Sequence, residues 1–181
     1  MIWIIVIIVV LLILYVIGTY NNLVGLRNKV KDQWAQIDVQ LKRRFDLIPN
    51  LVETVKGYAS HEKGTLEAVV KARNEYLSSD TPEDKMKAND DLNKVVIKLF
   101  ALAESYPELK ADASFRELQT TLTETEDKIS YARQFYNDVA MKYNNKIEMF
   151  PSNIVAGMFN FKTSAYFNAT AEERENVKVK F

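Results

Sequence analysis

Residues 2–20 read IWIIVIIVVLLILYVIGTY, and the first charged side chain after them is that of Arg27. A helix needs about twenty residues to cross the hydrocarbon core of a bilayer, and it satisfies its own backbone hydrogen bonds there. Trp3 and Tyr20 stand near the two ends of the stretch, where amphipathic rings favour the headgroup layers. We therefore predict a single transmembrane helix over residues 1–20, an uncleaved anchor whose residues 2–20 contact the lipid bilayer.

Two other interpretations of this stretch are weaker. A helix that is apolar on all sides is hard to bury in a chain of 181 residues. A cleaved signal peptide would have a basic first region and a cleavage site of small residues, and neither is present. Because Arg27, Lys29 and Lys31 follow the stretch directly, the positive-inside rule predicts a single-pass protein of the cell membrane, with its N-terminus outside and its C-terminal domain in the cytoplasm.

The composition excludes several classes of function. Lys+Arg and Asp+Glu both number 24, so the net charge is zero and does not favour nucleic acid as a partner. The chain has no cysteine and 1 histidine, which excludes disulfides, thiolate catalysis and thiolate metal sites and nearly excludes a histidine-based zinc site. No phosphate-binding loop or hydrolase nucleophile motif is present. The sequence thus predicts no catalytic, metal or cofactor site, no small-molecule substrate and no enzyme activity.

After the span, apolar residues recur at spacings of three and four, which predicts a continuous helical stripe of the coiled-coil type. Pro49 removes a backbone donor within it, so the helix either kinks there or ends and restarts with Asp46 as its N-cap. The stripe keeps its phase across the proline, which favours a kink, and Gly57 is the first candidate for the end. The stripe consists of Leu23, Leu26, Val30, Trp34, Ile37, Leu41, Phe45, Ile48, Val52, Val55 and Ala59.

Two shorter helices are predicted next. The first begins near Ser60 and extends to about Ser78, and the second has Thr81 as its N-cap, Pro82 as its first residue and an end before Pro107. The predicted core residues are Leu66, Val69, Val70, Arg73, Tyr76 and Leu77 in the first helix and Leu92, Val95, Val96, Leu99 and Leu102 in the second.

A second long helix completes the pattern. Ser114 and Glu117 form a capping box at its start and Pro151 ends it, while Thr170 and Glu173 form another capping pair near the C-terminus. The predicted core residues of the long helix are Leu118, Leu122, Ile129, Ala132, Tyr136, Val139, Tyr143 and Ile147.

These elements predict an all-α fold, in which an N-terminal transmembrane helix continues into an antiparallel bundle of about four helices, two long and two shorter. At 1.5 Å per residue the soluble part of the first helix spans about 57 Å and the last long helix about 52 Å, so the two can pair. The predicted regions are residues 1–20, the span; 21–150, the cytoplasmic bundle; and 151–181, an aromatic-rich segment and tail. Residues 150–167 either contact the membrane surface or cap the bundle.

Charged residues cluster on the first helix at Asp38, Lys42, Arg43, Arg44 and Asp46. Residues four apart on a helix are neighbours, so Asp38 can pair with Lys42, and Lys42 with Asp46. We interpret the cluster as structural ion pairs rather than as a site.

Two further groups of polar residues have a structural interpretation. The Tyr-Asn pairs at residues 136–137 and 143–144 are one heptad apart, and near an arginine they could form buried interhelical hydrogen bonds. His61 stands beside Glu62 without a recognisable nucleophile, which is typical of a surface residue.

The sequence resembles the LemA family of bacterial membrane-anchored helical proteins. The resemblance rests on IDVQLKRRFDLIPNL at residues 37–51, KGYA at 56–59, YPEL at 106–109 and Phe150-Pro151. It implies a single N-terminal span and a cytoplasmic antiparallel helical bundle, without an established enzyme activity. One relative takes part in building magnetosome membranes, which makes membrane organisation a functional analogy.

We therefore predict a membrane-anchored, non-enzymatic helical scaffold or adaptor of the LemA type at the bacterial cell membrane. It mediates protein-protein contact or self-association, so its partner is another protein or a second copy of the chain. The alternative is direct membrane remodelling or lipid binding through the basic residues after the span and through residues 150–167.

Overall fold

The computed structural model describes residues 1–167, in which every regular element is a helix. This confirms the predicted all-α class for the described residues, whereas the arrangement as one four-helix bundle stays a prediction. The predicted capping pair of Thr170 and Glu173 lies outside the described residues. The helices are α1 (Ile2–Tyr58), α2 (Lys63–Leu77), α3 (Pro82–Ala103), α4 (Pro107–Ala111), α5 (Ala113–Glu148) and α6 (Ser152–Met158).

The chain divides into two compact units. The first comprises residues 1–36 and 132–166, and the second contains residues 37–131. Helices α1 and α5 each contribute to both units, α6 belongs to the first, and α2, α3 and α4 belong to the second.

The predicted apolar stripe of α1 is buried. Residues 2–15 are exposed on all sides, whereas Leu23 is fully buried, so the change from an all-apolar to an amphipathic helix falls near Tyr20. Leu26, Trp34 and Val52 are half-buried, and the other eight stripe residues are buried, namely Leu23, Val30, Ile37, Leu41, Phe45, Ile48, Val55 and Ala59. One-sided burial is what a helix packed on a core requires.

Helix α1 continues through Pro49 and ends at Tyr58, one residue after the predicted end at Gly57. Because proline has no N–H, the carbonyl oxygen of Phe45, four residues earlier, loses its usual helical donor. The Nε–H of Arg73, on α2, donates to this oxygen at 3.4 Å. The contact from a neighbouring helix supplies the donor that the proline lacks. Because α1 is continuous from Ile2 to Tyr58, the helix does not end and restart with Asp46 as its N-cap.

Helix α2 differs from its prediction at its start and in its core face. It begins at Lys63 rather than near Ser60, because the chain first makes a turn in which the Glu62 N–H donates to the Ala59 carbonyl at 3.1 Å. Val70 and Leu77, predicted as core, are 41% and 60% exposed. They lie about 100° around the helix from Val69 and Tyr76, which are buried, so the true core face is narrower than predicted.

Helix α3 begins as predicted. Thr81 is its N-cap, the Thr81 hydroxyl accepts a hydrogen bond from the Asp84 N–H at 3.1 Å, and Pro82 is the first helical residue. Leu92, Val96 and Leu99 are buried, while Val95 and Leu102 are half-buried.

The start of α5 corrects the sequence prediction. The short helix α4 was not predicted, and the capping box of Ser114 and Glu117 is wrong because α5 begins at Ala113. Asp112 is the capping residue, since its Oδ1 accepts from the Phe115 N–H at 2.8 Å. Its Oδ2 accepts from the Tyr58 hydroxyl at 2.9 Å, which ties the start of α5 to the end of α1.

Removal of the Arg73 guanidinium should destabilise the protein, because it leaves the buried Phe45 carbonyl without a donor. We expect Arg73→Met to lower the free energy of unfolding by about 1 kcal/mol. The loss should be smaller in a Pro49→Ala background, because the N–H of residue 49 can then donate to the Phe45 carbonyl in place of Arg73. The measurement is urea unfolding of the full chain in detergent micelles, followed by circular dichroism. Lys71→Met, exposed on the same helix, is the control. Equal losses in both backgrounds would contradict this account.

The two hydrogen bonds to Asp112 predict a pH dependence of stability. The Phe115 N–H first, and then the Tyr58 hydroxyl, lower the pKa of Asp112 below its ordinary value of 3.8. A lowered folded-state pKa stabilises the fold fully above pH 3.8, and this contribution is lost as the pH falls through the folded-state value. Asp112→Asn should therefore be less stable than wild type at neutral pH, and the gap should close in acid.

Thermal unfolding of the full chain in detergent at several pH values measures this gap. Asp80→Asn, in the exposed loop between α2 and α3, is the matched control and should not reproduce it. A gap that stays constant down to acid pH would show that the ionised form of Asp112 does not stabilise the fold.

Candidate interaction surfaces

The charged cluster of α1 is divided among different partners. Asp38 Oδ1 binds Lys85 Nζ of α3 at 2.7 Å and accepts from the Tyr76 hydroxyl at 3.5 Å, so the predicted pairing of Asp38 with Lys42 is wrong. Lys42 binds Asp46 at 2.7 Å as predicted, on an exposed face. Burial first, and then the Asp38 charge, raise the pKa of Tyr76 to about 12, so this hydroxyl stays a neutral donor.

Arg44 lies at the centre of a buried polar cluster in the second unit. Its side chain is 1% exposed. Nη1 donates to Asn89 Oδ1 at 2.7 Å and to Glu126, and Nη2 donates to Asn93 Oδ1 at 2.8 Å. Glu126 also accepts from Asn93 Nδ2 at 3.3 Å. We call these four residues the Arg44 cluster, and it joins α1, α3 and α5 through hydrogen bonds.

The Arg44 cluster is suited to holding three helices together. Its guanidinium faces a carboxylate and two amides, and because an arginine keeps its proton in proteins, these contacts are charge-assisted hydrogen bonds. Sequence reasoning interpreted Arg44 as part of an ion-pair network but missed Asn89 and Asn93. Their signal was a spacing of four on the predicted core face of α3, next to Leu92 and Val96.

His61 and Glu62, the two residues considered for acid-base chemistry, lie at the turn before α2. His61 is exposed, and Glu62 accepts a hydrogen bond from the Tyr106 hydroxyl at 3.2 Å. Among residues 1–167, no group of three or more histidine, aspartate or glutamate side chains is placed to hold a metal ion.

An open apolar groove of about 900 Å³ lies between the last turns of α1 and helix α2. Val52, Leu66 and Val70 contribute its apolar surface. Its rim on α2 carries side chains of alternating charge at a spacing of four residues, and the nitrogen of Lys71 is 3.8 Å from the carboxylate of Glu75. These rim residues are Lys63, Glu67, Lys71 and Glu75.

The aromatic-rich segment contains a helix, α6, that the sequence did not predict. One side of α6 is buried against the protein, through Ser152, Val155 and Ala156. On the other side Phe150, Ile154 and Met158 are 80%, 55% and 68% exposed. Ile154 and Met158 are one turn apart on α6, and Phe150 lies in the turn before the helix; we call these three residues the outer face of α6. The region is therefore apolar on both sides, which is unusual for a short helix facing water.

The chain turns sharply after α6 and contacts the part of α1 that follows the apolar stretch. Asn160 has a φ of 54°, and the Phe161 N–H donates to the Ala156 carbonyl at 2.9 Å, which is a Schellman motif. The ring centroid of Tyr20 lies 4.7 Å from that of Phe159 and 5.7 Å from that of Phe161. The Arg27 guanidinium stands over the Phe161 ring at 5.1 Å.

The predicted Tyr-Asn hydrogen bonds hold the main chain of this segment. The Tyr136 hydroxyl donates to the Ala165 carbonyl at 3.1 Å. Asn144 donates to the Ser164 carbonyl and accepts from the Ser164 N–H, both at 2.9 Å. Tyr136 and Asn144, one from each Tyr-Asn pair, thus form hydrogen bonds from buried side chains, here to the backbone of the segment after α6.

The described residues contain one helix long and apolar enough to cross a membrane, and its first residues are exposed over their whole circumference. An all-helical chain with such a helix fits a membrane protein. The sequence model of the LemA family matches residues 33–181, and the chain belongs to this family. The LemA family is not a known enzyme family.

Several named proteins are similar to this chain, with low sequence identity over most of its length. Protein LemA of Metamycoplasma hominis is 26% identical over 162 residues, which cover 89% of this chain and 74% of that protein. Magnetosome protein MamQ 2 of Paramagnetospirillum magneticum is 25% identical over 174 residues, and Magnetosome protein MamQ of Magnetospirillum gryphiswaldense is 23% identical over 175 residues. Each of these two alignments covers 82% of this chain and 64% of the relative, so the chain spans less than two thirds of the magnetosome proteins.

Loss of the Arg44 side chain should be costly, since it removes the cation beside the Glu126 carboxylate and the donor to the Asn89 and Asn93 side-chain oxygens. We expect Arg44→Met to lower the free energy of unfolding by about 3 kcal/mol. Arg43→Met is the matched control, because Arg43 is the exposed neighbour with the same chemistry, and should change stability by less than about 0.5 kcal/mol. Urea unfolding of the full chain in micelles measures both. Similar losses for the two variants would contradict a dominant role for the Arg44 cluster.

Proposed function

We propose that the chain is a membrane-anchored, non-enzymatic scaffold or adaptor of the LemA type that holds another protein at the cell membrane. Residues 2–20 cross the bilayer once. The N-terminus is outside and the following domain is in the cytoplasm, because Arg27, Lys29 and Lys31 come directly after the span. Residues 21–150 form the antiparallel helical bundle, and residues 151–181 form a separate C-terminal segment. Membership of the LemA family and the magnetosome relatives support a membrane-associated protein.

The observation that carries the proposal is the groove between α1 and α2. An apolar seam flanked by alternating lysine and glutamate is the surface that a partner helix binds in a coiled coil, where the apolar residues supply affinity and the flanking charges set the pairing. The groove has both parts, namely the apolar residues Val52, Leu66 and Val70 and the charged rim on α2. We therefore expect an amphipathic helix of a partner protein as its occupant.

A small molecule is a poorer occupant of the same groove. Sites for small ligands enclose most of the ligand and direct a few polar groups at it. Here the polar side chains of the rim belong to lysines and glutamates of opposite sign, and Lys71 and Glu75 are within 3.8 Å of each other. Their charges can exchange partners with an incoming helix without leaving a buried charge unpaired.

Photocrosslinking in the native membrane tests the groove. A photoreactive residue in place of Lys71, on the rim, should yield a discrete crosslinked product, and the crosslinked peptide of the partner should have the apolar spacing of an amphipathic helix. The same residue in place of Lys98, exposed on α3 and outside the groove, should not yield that product.

Two further variants connect the product to the apolar seam. Val70→Asp should reduce its yield by more than about tenfold, because a charge left in an apolar contact costs more than about 1.4 kcal/mol. Ile97→Asp, at an exposed apolar position of α3, should leave the yield unchanged. A product of twice the chain mass would identify a second copy as the partner. Equal products from positions 71 and 98, or no effect of Val70→Asp, would remove the groove from the proposal.

A further inference from the structure

We infer that the outer face of α6 inserts into the headgroup layer of the same membrane that residues 2–20 cross, so that the protein contacts the bilayer at two places. The first observation is the exposure of Ile154 and Met158, on the side of α6 that faces away from the protein, and of Phe150 in the turn before it. The opposite side is already buried through Val155 and Ala156, so the outer face is not needed for the core.

The second observation is that the end of α6 lies next to the end of the apolar stretch, and therefore at a similar depth in the membrane. Tyr20 is the last residue of that stretch, and its ring is 4.7 Å from the ring of Phe159, which follows α6 directly. If Tyr20 lies at the edge of the hydrocarbon core, Phe159 lies there too. Met158 directly precedes Phe159, and Ile154 lies one turn, about 6 Å, further along α6, a distance close to the thickness of the headgroup layer on one side of a bilayer.

The charges around this contact favour a lipid surface. Arg27 stacks on Phe161, and Lys162, the next residue along the chain, is exposed. Basic side chains beside an apolar face are the arrangement that binds anionic headgroups while the apolar side chains enter the acyl boundary. The Schellman turn at Asn160 and the hydrogen bonds of Asn144 to residue 164 fix the segment that follows α6.

The contact of α6 with the membrane does not depend on the groove, but it rests on the proposed span. The test must therefore distinguish a failure of this contact from a failure of the span. The chain has no cysteine, and a single introduced cysteine can therefore carry a nitroxide label. We choose Ile154→Cys and Met158→Cys on the outer face, Ile8→Cys in the span, and Leu77→Cys at an exposed apolar position of α2 as the matched control. Each full-length variant is placed in vesicles of phosphatidylcholine and phosphatidylglycerol.

Accessibility of the label to oxygen and to a water-soluble nickel complex distinguishes lipid, water and protein. Oxygen concentrates in lipid and the nickel complex in water, while a protein contact excludes both. We expect oxygen access to exceed nickel access at positions 154 and 158, and to exceed it further at position 8. At position 77 nickel access should exceed oxygen access.

Higher nickel access at positions 154 and 158, or low access to both reagents, would overturn the inference, because the outer face would then lie in water or against protein. A lipid signal at position 77 equal to that at 154 would also overturn it, since the contact would not be specific to α6. If position 8 is in lipid while 154 and 158 are not, the span stands and only this contact fails. If position 8 is not in lipid, the span fails as well.

Discussion

A guanidinium group that is removed from water must have acceptors for its N–H donors, and this requirement at Arg44 constrains the second unit. Its acceptors come from two other helices, Asn89 and Asn93 on α3 and Glu126 on α5. Apolar side chains alone would allow these helices to rotate or slide with little loss, because hydrophobic contact has no direction. The Arg44 cluster allows one register, in which α3 presents Asn89 and Asn93 and α5 presents Glu126 to the same point on α1.

Much of the fold could be predicted from the spacing of apolar residues, because a helix packed on a core needs apolar side chains on its buried face. The α1 stripe and the start of α3 were predictable, since apolar spacing and the Thr81-Pro82 start signal act within a few residues of sequence. The start of α5 was not predictable in this way. Ser114 and Asp112 are both good N-caps, and Asp112 is the one whose second oxygen receives the Tyr58 hydroxyl, from 54 residues away.

The interaction surfaces were less predictable than the helices. The aromatic crowding at 150–167 was visible in the sequence, but a helix of 7 residues, such as α6, gives too few turns for a periodic signal. The groove was hidden for another reason. Val70 fits an apolar helical pattern equally well as core and as exposed seam, and only the packing of α2 against α1 decides between them. The spacing of apolar residues identifies the apolar side of a helix, but it does not show how much of that side other helices bury.

Several decisive contacts of this protein recognise main-chain atoms. Arg73 binds the carbonyl of Phe45, one turn before the proline of α1, and Tyr136 and Asn144 bind the backbone of residues 164–165. Every amino acid carries that carbonyl, so the recognised positions are free to change in evolution while the recognising side chains are not. The attachment of the segment after α6 therefore depends on Tyr136 and Asn144, and not on which side chains residues 164 and 165 carry.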